Sequence, residues 1–461
     1  MSFFDKYIKA VRFLLPSPFT IALFLTLFTL FLGFIWPNHS SENITWTEKG
    51  IQVLTYWNNG LWDPKGLAFA IQMMLMLLLG HVLALSKPID KLITQLLPFC
   101  NNNAKSALII TLLTLMVSWF NWGLGLVFGA IFCKKIMEYA AKSSIALNYG
   151  LIGAAGYSGL MIWHGGISGS SLVKISESGH LKDLAPERVK AAVPELLDFS
   201  QTVFSTMNIT VTLTLLIALP IAMYIIGKKT SVKISEIVNE KQNEKENIQL
   251  IGAEKLDHSR YTGMIIGLGI ILFSVFVAID HPSTKSFQFI NPNYLNLSLF
   301  GLALLCHGSI INFIKSVEKA IGGTAGILIQ FPLYFGIMGI VNETGMIGDI
   351  ANYFKTISTE FTYPIYTLLS AGMVNFFVPS GGGQWYIQGP LIIQSSIEMG
   401  IPLKKSIMAL AYGDQLTNML QPFWALPLLG ITGLKAKDIL PYTFILMLIG
   451  LLIFSIGLVL F

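Results

Sequence analysis

Two stretches of this chain break the rule that their neighbours obey. One is Gly156-Tyr-Ser-Gly-Leu-Met-Ile-Trp-His-Gly-Gly-Ile-Ser-Gly-Ser-Ser171, and the other is Asn375-Phe-Phe-Val-Pro-Ser-Gly-Gly-Gly-Gln-Trp385. Both lie inside long runs without charge. The chain has 461 residues, 53% of them hydrophobic and only 12% charged, about half the charge of an ordinary soluble domain. Such a composition belongs to a polytopic membrane protein. A helix in contact with lipid has no place for Pro-Ser-Gly-Gly-Gly. Irregular backbone survives at membrane depth only where protein buries it or where it lines a wet cavity.

The remaining apolar runs match the roughly 20 residues that a spanning helix needs. They are Phe19–Trp36, Gly66–Leu85, Val203–Ile226, Tyr261–Ile279, Leu295–Ile314, Ile321–Val341 and Tyr442–Phe461. The first follows Lys6, Lys9 and Arg12 and ends in Trp-Pro-Asn without a small-residue cleavage site, so it reads as an uncleaved span. Ser106–Cys133 and Phe361–Ile397 are too long for one span and too short for two, and each is broken, at 118–123 and 379–383. Re-entrant hairpins fit those lengths. Spans 143–173 and 406–434 are interrupted by the first glycine cluster and by Gly413-Asp-Gln-Leu-Thr-Asn418.

With a cytoplasmic N-terminus and two non-crossing hairpins, Lys and Arg are twice as numerous inside as outside, as the positive-inside rule requires. Each half then repeats one plan: a span, an amphipathic stretch (Ile89–Phe99 or Ile347–Phe361), a hairpin, a broken span and a closing span. The expected fold is all-α, with about nine transmembrane spans plus two re-entrant hairpins in an inverted-topology repeat. Residues 1–226 form the first repeat, 227–260 a cytoplasmic linker, 261–280 a connecting span and 281–461 the second repeat. Cys100, Cys133 and Cys306 are too few and too scattered for a disulfide framework or a zinc site.

Broken helices free backbone groups. Freed N–H groups attract a carboxylate, and freed carbonyls with Ser, Thr or Asn oxygens can hold Na⁺. Ser118, Asn121, Ser158, Ser168, Ser380, Gln384, Thr417 and Asn418 are the polar side chains at the breaks, and Trp119, Trp163, Phe377 and Trp385 stand beside them. A pocket with apolar walls and a few donors suits a small organic anion. Asp414 is an acidic residue within a span. It could carry a proton, ligate a cation or accept local hydrogen bonds. His81, His164 and His307 read more simply as packing residues. Gly125/Gly129 and Gly263/Gly267 read as close helix contacts. The Gly-x-Ser-Gly pattern at Ser158 also occurs in intramembrane serine proteases, although a protease has no use for a second, inverted break. A channel is a further alternative, without a filter motif to support it.

The chain resembles the bacterial short-chain fatty acid transporters of the acetoacetate and butyrate permease type. The resemblance rests on Asn121-Trp-Gly-Leu-Gly-Leu-Val-Phe-Gly-Ala130, Ser168-Gly-Ser170, Thr324-Ala-Gly-Ile-Leu-Ile-Gln-Phe-Pro332, the stretch 375–385, Gln388-Gly-Pro390, Ala411-Tyr-Gly-Asp-Gln415 and Asn418-Met-Leu-Gln-Pro-Phe-Trp-Ala-Leu-Pro427. It implies uptake of short-chain monocarboxylates across the bacterial inner membrane by an elevator-type movement, and a homodimer. It does not imply shared histidine chemistry, because the family pattern has glycine at the place of His164 and histidine at that of Gln384. The expected substrate residues are Trp119, Trp163, Ser168, Gly169, Ser170, Phe377, Ser380, Gly381, Gly382, Gly383, Gln384 and Trp385. The expected coupling-ion residues are Ser118, Asn121, Asp414, Thr417 and Asn418, holding H⁺ or Na⁺. The expected partners are the monocarboxylate and the lipid bilayer; no other cofactor and no nucleic acid is expected. A dicarboxylate or amino-acid anion carrier is the alternative within transport. No Lys or Arg lies inside the breaks, which favours a monoanion.

Overall fold

The computed structural model describes residues 6–8, 16–37, 45–232, 252–280, 289 and 291–461. The regular elements among the described residues are helices. Seven helical stretches among the described residues are long and apolar enough to cross a membrane: Pro18–Ile35, Trp46–Ala84, Asn103–Phe120, Thr206–Lys229, Arg260–Asp280, Ile310–Glu343 and Ala436–Leu460. The expected span Leu295–Ile314 is instead divided. Helix Pro292–His307 stops at Gly308, whose φ of 77° favours glycine, and Ser309 caps a new helix, Ile310–Ala320. Of the expected linker 227–260, residues 233–251 lie outside the described residues.

The sequence reading overlooked one helix, Trp46–Leu61. Its polar residues hide it from a hydropathy scan, but Thr45 and Glu48 form a capping box at its start. It lies on helix Ala325–Glu343 along a glycine seam, with Gly60 facing the backbone of Phe335 and Gly339 facing that of Tyr56. Close backbone approach of this kind is how helices associate where lipid removes the hydrophobic driving force. Gly129 against Gly156 and Gly263 against Gly308 make similar contacts.

Each of the two stretches expected to form a hairpin folds as an antiparallel helix pair. In the first, Asn103–Phe120 and Trp122–Lys142 meet at Asn121. Gly125 faces Ser118 and Gly129 faces Thr114 across the pair, the register of two antiparallel arms. These arms outrun the uncharged stretch at both ends, because Asn102 caps the first arm and Lys134, Lys135 and Lys142 remain helical in the second. In the second hairpin, Tyr363–Asn375 and Gly381–Glu398 are joined by residues 376–380. The Gln384 amide holds the arms together by donating to the Ala371 carbonyl at 2.8 Å. The triple glycine is therefore the first helical turn, and the irregular tip precedes it.

The breaks also move. Helix Tyr149–Tyr157 gives way to two 3₁₀ turns, Ser158–Met161 and Trp163–Gly165, and resumes as Ser170–Ile175. In the other half, Gly413–Thr417 stays helical within Leu403–Thr417, and the interruption falls at residues 418–421, before Pro422–Thr432. Pro422 sets that boundary, since a residue that precedes proline is driven out of the helical region; Gln421 has ψ of 108°.

The helices form two groups. Helices Pro18–Ile35, Trp46–Leu61, Pro64–Ala84, Pro292–His307 and Ala325–Glu343 pack together, with Arg260–Asp280 outermost. The hairpins, the broken spans, Thr206–Lys229 and Ala436–Leu460 make the other group. Inside it the halves interlock. The second arm of the first hairpin packs on Pro422–Thr432, and the second arm of the second hairpin packs on Ser170–Ile175.

Candidate functional site

The site assembles around one asparagine. Asn375 ends the first arm of the second hairpin, and its buried side-chain nitrogen lies 2.9 Å from the Asp414 carbonyl, 3.0 Å from Thr417 Oγ1 and 2.8 Å from Asn418 Oδ1. Thr417 Oγ1 donates to the Gly372 carbonyl at 3.0 Å, and the Gln421 amide donates to the Asn375 carbonyl at 2.9 Å. Tyr157, from the first broken span, donates to the carbonyls of Asn418 and Gln421 at 2.6 and 3.0 Å. The freed carbonyls of the second break are thus satisfied by side chains from both halves, as buried backbone requires.

A second bridge joins the first break to the helix that precedes the second. Gln415 Oε1 accepts from the amides of His164 and Gly165 at 2.9 and 3.2 Å. His164 Nδ1 lies 3.4 Å from Asp414 Oδ1, with both side chains fully buried. Asn208 of helix Thr206–Lys229 donates to the Gly165 carbonyl and accepts from the Tyr412 hydroxyl at 2.9 Å. Trp163 stacks on the His164 ring, centroids 4.5 Å apart.

The tip of the second hairpin closes over this pair. Ser380 caps the helix that follows: its hydroxyl accepts from Gly383 at 3.2 Å and its carbonyl accepts from Gln384 at 2.7 Å. The amides of Gly381 and Gly382 are left at the helix start. A Cβ on Gly381 would stand 2.7 Å from His164 Cε1, and one on Gly382 would stand 3.9 Å from Ser170 Cβ. On its other side, the tip borders a cavity of about 670 Å³ between the two helix groups. Ser380, Gly383, Phe69, Phe335, Phe423 and Lys65 are among its lining residues.

Not every expected residue belongs to this cavity. Ser168 is engaged as a cap, its hydroxyl accepting from the Trp122 amide at 3.0 Å, and Gly169 packs on the His164 carbonyl. Ser170 borders the hairpin tip. Trp119 packs edge-on against Phe204, Trp163 lies behind the tip, and Phe377 packs into the core. Trp385 is fully buried, and its indole donates to His180 Nε2 at 3.0 Å. Gln384 is a staple within the hairpin. The phenylalanines that line this cavity are Phe69, Phe335 and Phe423. Two come from the other helix group, which local sequence around the breaks cannot reveal. Among the expected ion residues, Asp414, Thr417 and Asn418 meet. Ser118 is buried between Gly125 and Gly159, and Asn121 caps the first hairpin's second arm by accepting from Leu124 at 3.0 Å. The sequence reading missed Asn375 and Gln415, although both stand inside motifs that it singled out. It also left His164 as packing. The protease reading fails on geometry: the Ser158 hydroxyl is buried and bonds its own helix at the Ala155 carbonyl, 2.7 Å away.

Many apolar helices, with paired antiparallel arms and two interrupted helices, define a polytopic membrane protein. The family described as short chain fatty acid transporter matches residues 3–461, and the chain belongs to it. An Escherichia coli (strain K12) protein whose name assigns it to short-chain fatty acid transport is 33% identical over 453 residues, 97% of this chain and 96% of that one. A Haemophilus influenzae protein of like name is 32% identical over 451 residues, 96% of each chain. Among solved structures, Neisseria gonorrhoeae MtrF, titled as illuminating a class of antimetabolite efflux pumps, gives a TM-score of 0.41 at 14% identity, covering 98% of this chain and 96% of that one. The Alcanivorax borkumensis YdaH transporter gives 0.40 at 15%, covering 96% and 98%. Family membership makes this chain a multi-pass bacterial inner-membrane transporter of short-chain monocarboxylate anions, and not an enzyme.

Proposed function

We propose that the chain takes up short-chain fatty acid anions such as butyrate and acetoacetate by alternating access, coupled to an ion at Asp414. The observation that carries this reading is the cavity that runs between the helix groups to the start of helix Gly381–Glu398. At its end stand Ser380 and Gly383, where that helix starts and its N-terminal dipole favours a carboxylate, and Phe69, Phe335 and Phe423 offer walls to a short apolar tail. Charge favours a monoanion over a dicarboxylate. Lys65 lines the cavity, but so do Asp63 and Glu343, so the walls do not supply the second positive partner that a dianion wants.

The interlocked packing of each hairpin on the opposite half supports an inverted-topology repeat. On this reading both hairpins are re-entrant, the first opening inward and the second outward, with nine spans and a cytoplasmic N-terminus. The cavity between two packed groups suits an elevator movement of the hairpin group against the other, and a homodimer would anchor the stationary group. Asp414, Thr417 and Asn418, joined by Asn375, are where the coupling ion acts.

The test is substrate competition in proteoliposomes. Labelled acetoacetate uptake is expected to be saturable and inhibited by butyrate, with succinate and glutamate ineffective. Inhibition by succinate at equal strength, or no saturable uptake of either monocarboxylate, overturns the substrate assignment.

A further inference from the structure

His164 is the buried group at which the first break meets the helix that carries Asp414. Its Nε2 accepts the backbone amide of Ser171 at 3.2 Å, and the Ser171 hydroxyl lies 3.0 Å from the same nitrogen. A backbone N–H can only donate, so Nε2 carries no proton. The ring proton therefore sits on Nδ1, the nitrogen 3.4 Å from Asp414 Oδ1. Trp163 stacked on one side and Gln415 holding the His164 amide fix the ring in place.

Asp414 is the complement. Among the described residues both of its carboxylate oxygens, and His164 Nδ1 itself, are buried without a hydrogen-bond partner; Nδ1 stands 3.4 Å from Oδ1, close to it but not aligned as a hydrogen bond. Asn375 addresses the Asp414 backbone carbonyl and leaves the carboxylate alone. A buried carboxylate so poorly solvated requires a proton or a counter-ion.

We propose that His164 is a positioning residue: a neutral imidazole, fixed as the Nδ1–H tautomer, that holds an N–H within 3.4 Å of Asp414 and leaves that carboxylate as the group that binds and releases the coupling proton. The proposal rests on the coupling role given to Asp414 above and names its ion as H⁺. A second proton on His164 would have to enter at Nε2, against the Ser171 amide. The same contact removes hydrolase chemistry from this Ser–His–Asp array. The single Nε2 lone pair already serves a backbone amide and cannot take the proton of a nucleophile. Because His164 stands in the first break and Asp414 in the second span, loading one proton is registered by both halves.

Other titratable groups around Asp414 are tyrosines or lie at helix ends. Tyr157 is committed to the carbonyls of Asn418 and Gln421, and Tyr412 to Asn208; Tyr442 is buried on the packed terminal helix. Lys174 pairs with Glu177, Glu398 pairs with Arg188 and Lys355, and Lys404 and Lys405 open the helix that carries Asp414.

The experiment compares His164→Asn and His164→Gln, reconstituted as the full chain, in the pH profile of acetoacetate uptake. Asparagine can place an amide nitrogen near the Nδ1 position, whereas glutamine reaches the Nε2 position and abandons Asp414. His164→Gln is expected to move the profile midpoint by about 1 pH unit, a tenfold change in proton affinity, and His164→Asn to retain it. Equal profiles for both variants overturn the proposal, whether both match the wild type or both shift together. Wild-type protein labelled with ¹⁵N-histidine gives a readout that needs no folded glutamine variant. The His164 resonances, assigned against His164→Asn, should report the Nδ1–H tautomer between pH 5 and 8; an imidazolium or an Nε2–H signal contradicts it. Asp414→Asn separates the two claims. If it keeps the wild-type pH profile, the coupling role of Asp414 falls; if it flattens the profile while the histidine variants behave alike, only the role of His164 falls.

Discussion

Gly381→Ala is the substitution whose consequence the geometry fixes most tightly. The added Cβ would lie 2.7 Å from His164 Cε1, 3.1 Å from His164 Nε2 and 3.1 Å from Trp163 Cη2. Carbon atoms rest about 3.5–4.0 Å apart, so roughly 0.8 Å must be found. The His164 ring cannot yield it, because Ser171 and Gln415 hold it and Trp163 stacks on it. The hairpin tip has to move instead. Overpacking of this kind costs about 1–3 kcal/mol, and the better helix propensity of alanine returns at most about 1 kcal/mol. A net loss of about 1–2 kcal/mol is a factor of about 5–30 in occupancy of the closed tip. Gly348→Ala is the control. A Cβ there meets nothing within 4 Å, so uptake should stay within about twofold of the wild type. Initial rates of acetoacetate uptake in proteoliposomes measure both. Full activity in Gly381→Ala, or an equal loss in Gly348→Ala, refutes the seating of the hairpin tip on His164.

Asn375→Leu removes the amide that gathers Asp414, Thr417 and Asn418 and leaves their acceptors unpaired, which should cost about 2–3 kcal/mol and lower the thermal midpoint in detergent. An unchanged midpoint would show that the three groups are held by other means. Outside the membrane, burial pushes the His180 imidazole below its usual range, and its Nε2 must stay unprotonated to accept the Trp385 indole N–H. The unfolded chain then binds the proton more readily. Stability from this link is complete above about pH 6.5 and is lost as pH falls from there through the folded value. His180→Gln should remove that acid dependence from the melting profile; an identical profile would contradict it. Lys355→Ala, which breaks a surface pair with Glu398 at 3.0 Å, should change stability by less than about 1 kcal/mol.

The breaks were legible because proline, triple glycine and serine cannot continue an apolar helix in lipid, and no local rule competes with that signal. Their limits were less so. The triple glycine reads as the irregular tip, yet Ser380 supplies a helix cap and Gly381–Gly383 become the first turn. Gly413–Thr417 reads as a break, yet tertiary packing keeps it helical until Pro422 decides the matter. Helix Trp46–Leu61 was lost because its apolar face is diluted by polar residues; its capping box and its partner seam on Gly336 and Gly339 declare it. The same limit governs the site. Asp414, Thr417 and Asn418 stand on one stretch of chain and could be grouped by eye. The aromatic wall comes from residues more than 300 positions apart, such as Phe69 and Phe423, and the tautomer of His164 depends on Ser171 and Asp414 meeting it in space.

The central claim is tested most directly by accumulation against a gradient. Proteoliposomes are given an inward proton gradient, and labelled acetoacetate is followed with and without a protonophore, beside protein-free liposomes that report passive entry of the neutral acid. The account predicts saturable accumulation above the protein-free level that collapses with the protonophore and is absent from Asp414→Asn. Uptake that never exceeds the protein-free level, or accumulation that Asp414→Asn sustains in full, contradicts it.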